Sequence, residues 1–79
     1  MVELDLRGTP CPLNYIRTKL ALETLPPGQR LQVSLDRGDP EQMVSDGLRT
    51  LGHTVHSHPH PEDPAAVNVL VDDMAVDGG

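Results

Sequence analysis

The sequence contains no tryptophan, no phenylalanine and a single tyrosine, Tyr15. Its core must therefore be built from Leu, Val, Ile and Met. It also lacks the aromatic platforms on which single-stranded nucleic acid stacks. Positive charge is scarce, with 6 Lys and Arg against 12 Asp and Glu and a net charge of −6. Direct nucleic-acid binding is not expected from such a chain, because phosphate contact rests on clustered cations. There is one cysteine, Cys11. No internal disulfide can form, and a reducing compartment, the cytoplasm, is the expected location. No apolar run approaches the roughly 20 residues of a membrane span, so no membrane association is expected. Met1-Val2-Glu3-Leu4-Asp5 has neither the positive start nor the apolar stretch of a signal peptide.

What is present falls into an ordered succession of elements. Val2, Leu4 and Leu6 alternate with Glu3 and Asp5, the period-two pattern of a strand with one buried face. A first helix is expected over 12–25, with Leu13, Ile16 and Leu20 along one side and Tyr15 and Leu22 nearly opposite. Pro26-Pro27-Gly28 ends it. Leu31, Val33 and Leu35 alternate with Gln32, Ser34 and Asp36 as a second one-faced strand. Asp39 reads as an N-cap, with Pro40 at the first helical position and Gln42 where a capping box takes Glu or Gln. Val44, Leu48 and Leu51 follow at i, i+4 and i+7, and Gly52 closes this second helix as its C-cap. A third strand is expected near 53–58 and a fourth at 66–72, where Val67, Val69 and Val71 share a face. Residues 57–65 are expected to form a mobile His/Pro-rich connection. The order β-α-β-α-β-β implies an α/β (α+β) two-layer sandwich, a four-stranded mixed sheet with two helices on one face and the other face wet. Residues 1–79 make one small domain.

Cys11 sits in the rigid frame Pro10-Cys11-Pro12, after the apparent strand and glycine turn and before the first helix. Proline is favoured at the first helical position, and the residue before a proline is pushed out of the α region. Cys11 is therefore expected to be the N-cap. Cysteine is not a favoured cap, so a thiol there points to reactivity: helix N-termini attract anions, and the thiolate is the nucleophile. Gly8 allows the turn that exposes the sulfur, and Pro12 sets the helix start. Asn14 falls at the third helical position, with a backbone N–H aimed at the cap and a side-chain amide as a second donor.

Asp5-Leu6-Arg7-Gly8-Thr9-Pro10-Cys11-Pro12 resembles the TusA/SirA-like sulfur-carrier family, whose members begin with a short strand, a D-x-R-G turn and a Cys-Pro-x-Pro helix start. Pro27-Gly28-Gln29-Arg30-Leu31-Gln32-Val33, Asp39-Pro40 and Leu51-Gly52-His53 extend the likeness over residues 2–56. The motif's second proline is Asn14 in this chain. The resemblance implies a sulfurtransferase-type relay rather than a stand-alone enzyme, with Cys11 loaded as a persulfide and no cofactor. It implies two partners, a cysteine desulfurase or other sulfur-donor protein and a downstream sulfur-acceptor protein. Arg7, Arg17 and Lys19 are candidates for docking them, on the basic side of an acidic chain.

Three other features of the sequence bear on function. His56, His58 and His60 recur at period two, a spacing that can present imidazoles to Zn²⁺, but the intervening prolines favour solvated side chains and no metal site is expected. Glu62, Asp63, Asp72, Asp73 and Asp77 form no pair spaced for acid–base work and read as acidic surface. The terminal Asp77-Gly78-Gly79 matches carriers that use a C-terminal thiocarboxylate, although those begin ββ rather than β-α-β. The remaining alternative is a non-catalytic regulatory or interaction module on the same fold.

Overall fold

A computed structural model describes residues 1–72. The elements run β1 (Val2–Asp5), α1 (Leu13–Glu23), β2 (Arg30–Asp36), α2 (Asp39–Thr50), β3 (Val55–Pro59) and β4 (Ala66–Asp72). They form a four-stranded sheet in the order β1-β2-β4-β3. β1 pairs parallel with β2, and β4 pairs antiparallel with both β2 and β3, so the sheet is mixed. Val33 lies opposite Leu4 on one side and Val69 on the other, which aligns the apolar faces of three strands. Leu31, Val33, Leu35, Val67, Val69 and Val71 are almost fully buried, together with Val44 and Leu48 from α2. Tyr15, Ala21 and Leu22 of α1 pack against the same cluster, so both helices cover one face. On the other face Ser34 Oγ donates to Asn68 Oδ1 at 2.9 Å and Arg30 pairs with Asp72 at 2.9 Å, as a solvated sheet surface requires. The expected two-layer sandwich is present, with the expected element order.

Several local expectations need correction. α2 begins at Asp39 and its cap is Gly38 (φ +91°), because the Gln42 N–H reaches back to the Gly38 carbonyl at 3.0 Å. Asp39 and Glu41 are thereby placed in the first turn, where carboxylates complement the helix dipole. At the other end Leu51 is the C-cap. Gly52 (φ +96°) follows it in a Schellman arrangement, with Gly52 N–H on Arg49 O at 2.9 Å and His53 N–H on Leu48 O at 3.1 Å. That arrangement consumes residues 52 and 53, so β3 starts at Val55 rather than at 53.

The segment expected to be mobile, 57–65, instead contains the end of β3. Ser57, His58 and Pro59 pair with Val69, Asn68 and Val67. Pro59 is tolerated because β3 is an edge strand. The remaining turn is tied by backbone and side-chain bonds, including His60 N–H to Ala66 O at 3.2 Å and Arg37 Nε to Pro64 O at 2.8 Å.

The largest departure is the rotation of α1. Leu13, Ile16 and Leu20, the apolar side read along this helix, are 47%, 45% and 56% exposed, whereas Asn14 and Thr18 are completely buried. The inward face consists of small or self-satisfied residues. Thr18 Oγ donates to the Asn14 carbonyl at 2.8 Å, and Ala21 lies on the core. Tyr15 turns toward α2 and rests on Gly47, where a Cβ would fall 2.5 Å from its Cε1.

Candidate functional site around Cys11

The site is built from the turn that leaves β1. The Leu6 N–H joins Ser34 O at 2.9 Å, and the Thr9 N–H returns to Leu6 O at 3.0 Å. Gly8, with φ +77°, stands where this turn needs the left-handed region that only glycine enters freely. Its N–H donates to Asp36 Oδ2 at 2.9 Å, anchoring the turn to the end of β2. Arg7 Nε and Nη2 grip Asp5 at 3.0 and 2.8 Å, and Nη1 reaches Asp63 Oδ2 at 3.3 Å. The side-chain bonds from Arg7, reinforced by its backbone N–H, hold the Asp5 carboxyl down at about 2. In turn the Asp5 carboxylate raises the Arg7 guanidinium above its ordinary value. Arg7 is thus occupied in bracing the loop, and it links β1 to the β3–β4 connection.

Cys11 follows on this braced loop and is exposed. It is not the N-cap. α1 starts at Leu13 and the flanking residue is Pro12. The reason lies in where the first amides go. The Asn14 N–H binds Pro10 O at 3.2 Å, and the Tyr15 N–H binds Asn14 Oδ1 at 2.7 Å. Neither backbone donor is left for the sulfur, contrary to the expected role of the Asn14 N–H. The side-chain amide takes that role: Asn14 Nδ2 donates to Cys11 Sγ at 3.3 Å. Asn14 is completely buried, so this donor is held in place by packing and by its own bond to Tyr15. A fixed N–H pointing at an accessible sulfur can stabilise negative charge there as a bond to that sulfur breaks.

Of the remaining candidates, Arg17 is exposed one turn along α1, and Lys19 Nζ lies 6.0 Å from the centre of the Tyr15 ring. Among the described residues neither has a carboxylate in ion-pair range. His56 and His58 are exposed on β3, while His60 Nδ1 accepts the Glu62 and Asp63 N–H groups at 3.1 Å each. The period-two row of imidazoles is therefore broken at its third member. No group of three or more His, Cys, Asp or Glu arranged for a metal ion occurs among the described residues. Nor is any helix among them long and apolar enough to cross a membrane. A surface depression lined by Gly28, Gln29, Arg30 and Asp72 lies at the opposite end of β2 from the Gly8–Asp36 contact. Asp73, Asp77, Gly78 and Gly79 lie outside the described residues. The exposed side of α1 was missed by sequence reasoning, although the buried polar pair Asn14 and Thr18 at i and i+4 was its signal.

Comparison with known proteins agrees with this geometry. A protein named "Putative sulfur carrier protein" from Thermotoga maritima is 36% identical over 52 residues, covering 66% of this chain and 66% of its own length. One of the same name from Archaeoglobus fulgidus is 39% identical over 54 residues, covering 68% of this chain and 61% of its own. The chain thus spans a little under two thirds of the length of these relatives. The crystal structure of a SirA-like protein from Desulfitobacterium hafniense superimposes with a TM-score of 0.76 at 22% identity, over 90% of this chain and 95% of that one, a likeness of fold. The family model for sulfurtransferase TusA matches residues 2–71, nearly the whole described chain, and the protein belongs to the TusA sulfurtransferase family.

Proposed function

We propose that this protein is a sulfur carrier that takes sulfur as a persulfide on Cys11 and passes it to an acceptor protein. The observation that carries the reading is the donation from buried Asn14 to the exposed Sγ of the lone cysteine, in a chain of this family. In the loading step the Cys11 thiolate attacks the outer sulfur of a donor persulfide, R–S–SH. The new Sγ–S bond forms as the donor's S–S bond breaks, and the donor leaves as R–S⁻. Unloading is the same exchange in reverse order: the acceptor's thiolate takes the outer sulfur and Cys11 departs as the thiolate. Each step exchanges one S–S bond for another, so no external oxidant or reductant is consumed.

Cys11 is the reacting group in this scheme. Gly8 and Pro12 set the loop, and Asn14 supports the sulfur. Arg7 braces the loop through Asp5 and Asp63, which leaves Arg17 and Lys19 as the cations for docking. The donor is a cysteine desulfurase or another persulfide-bearing protein. The protein acts as one partner in a relay rather than as a stand-alone enzyme. A lone exposed thiol that must stay reduced between transfers suits the cytoplasm.

Intact-mass measurement tests the reading. After incubation with inorganic polysulfide, or with a cysteine desulfurase and cysteine, the protein should gain a sulfur that reductant removes and that Cys11→Ser does not acquire. Failure of both donors to load Cys11 would overturn it, and one oxygen of the Gly79 carboxylate found replaced by sulfur in protein isolated from cells, where ATP-dependent activation of that carboxylate is available, would favour a C-terminal thiocarboxylate carrier.

A further inference from the structure

The turn between β3 and β4 is folded around one imidazole nitrogen: His60 Nδ1 accepts the N–H groups of both Glu62 and Asp63 at 3.1 Å. The same turn carries the Asp63 carboxylate. Its Oδ1 accepts the Ala65 N–H at 2.9 Å and its Oδ2 accepts from Arg7 Nη1 at 3.3 Å. Arg7 belongs to the turn that leads to Cys11 and is otherwise bound to Asp5. We propose that His60 is a positioning residue for Cys11. With Nδ1 unprotonated it holds Asp63 against Arg7, and protonation of Nδ1 releases that tie between the β3–β4 turn and the Cys11 loop.

The effect of His60 on sulfur exchange rests on the persulfide reading above, whereas its effect on the Cys11 thiol does not. A ring nitrogen that has taken a proton has no lone pair left to accept with, so both bonds are lost together and two amide dipoles face a cation. Histidine is the side chain whose charge ordinarily changes between about pH 5 and 8. The surrounding charges act in the same direction. From β1 and its turn come Asp5 and Arg7, and the Asp5 carboxyl, lowered chiefly by its Arg7 bonds, is lowered a little further by charge on His60. From the end of β2 come Asp36, which pairs with Ala66, and Arg37, whose Nε donates to Pro64 O at 2.8 Å. His58, Glu62 and Asp63 complete the set along the chain. A charged ring is pushed away by the two amides and drawn to the Asp5 and Asp63 carboxylates, where it competes with Arg7. The bond from the His60 N–H to Ala66 O does not titrate, so β3 and β4 stay paired and the change is confined to the turn.

The test compares the full chain with His60→Asn, in which Oδ1 takes the place of Nδ1 and keeps both bonds as an Asx turn without a titrating group. Two rates are followed from about pH 8 to pH 5.5: alkylation of Cys11 by iodoacetamide and loading from inorganic polysulfide. Dividing the wild-type rate by that of His60→Asn at each pH cancels the loss of thiolate common to both proteins. For alkylation the ratio should be near one at pH 8 and fall about threefold by pH 5.5, the scale of one exposed ion pair. Polysulfide loading should follow the same ratio. Asp63→Asn keeps the acceptor for Ala65 but cuts the charged tie to Arg7 at every pH. In that background, adding His60→Asn should leave the pH profile unchanged. An alkylation ratio that stays flat or rises on acidification would overturn the proposal. So would a fall that persists undiminished in the Asp63→Asn background, since His60 would then act by another route. A falling alkylation ratio in proteins that take up no sulfur from polysulfide would uphold the positioning of the thiol and overturn the persulfide reading instead.

Discussion

Asn14 combines three contacts that an apolar or proline residue could not supply together. Its backbone N–H closes the turn on Pro10, its Oδ1 accepts from Tyr15, and its Nδ2 meets the sulfur. A donor to a sulfur that carries negative charge during exchange is worth about 1.5 kcal/mol or more, by analogy with other hydrogen bonds to charged groups. Asn14→Asp keeps the acceptor for Tyr15 but turns the sulfur-facing donor into an anion. Polysulfide loading at pH 8 should slow by about tenfold, the rate equivalent of ~1.4 kcal/mol. Asn14→Pro, which restores the family's second proline, removes the donor without adding charge. It should load more slowly than wild type but faster than Asn14→Asp, with the fold kept at a lower melting temperature because the bond from the Asn14 N–H to the Pro10 carbonyl is lost as well. Loading rates indistinguishable from wild type in both variants would show that Asn14 only packs.

The contact between α1 and α2 depends on a missing side chain. Tyr15, the single aromatic residue, lies where a Cβ on Gly47 would be, 2.5 Å from Cε1. Gly47→Ala gains roughly 1 kcal/mol of helix propensity. It also forces the ring aside, and overpacking of this kind costs about 1–3 kcal/mol. The net expectation is a lower melting temperature. In a Tyr15→Ala background the clash is gone, and the same Gly47→Ala change should raise the melting temperature. This reversal of sign, read from thermal melts of the four proteins of the cycle, is the signature of direct contact. Destabilisation of equal size in both backgrounds would mean that Gly47 is needed for another reason. The same rotation of α1 that brings Tyr15 to α2 sends Leu13, Ile16 and Leu20 outward.

Arg7 ties distant parts of the chain together, since its two carboxylate partners are 58 residues apart in sequence, Asp5 before the Cys11 loop and Asp63 between the last two strands. The folded Asp5 carboxyl lies at about 2, below the ordinary carboxylate range near 3.9 that applies to the unfolded chain. A depressed carboxyl stabilises the fold fully above the unfolded value, and that stability is lost as pH falls towards the folded one. Wild type should therefore lose melting temperature between pH 4 and pH 2 more steeply than Asp5→Asn, and the two should converge at the acid end. Parallel curves would mean that the pair contributes nothing to folding. Because Asp5 is well exposed, the effect should also shrink in high salt.

Much of this protein was legible before folding was considered, because the relevant signals are local. Alternation at Leu31, Val33 and Leu35 and at Val67, Val69 and Val71 needs no partner to be read as one-faced strands, and β2 and β4 occupy those spans. The lone cysteine between two prolines, after an Arg-Gly turn, singled out Cys11 as the candidate position by residue type and order alone. Cap positions shifted by a residue at Gly38, Leu51 and Pro12, since each depends on which carbonyl wins a given N–H. The mobile loop expected at 57–65 gave way to an edge strand and a hydrogen-bonded turn, because β4 supplies partners that no local pattern reveals. The rotation of α1 was decided only in three dimensions. Apolar residues lie on both sides of that helix, so its pattern does not choose a face. Close packing on the sheet and on Gly47 selects the side with Asn14, Thr18, Ala21 and Tyr15, whose size and internally satisfied polar groups fit there, and that choice brings the Asn14 amide to the sulfur.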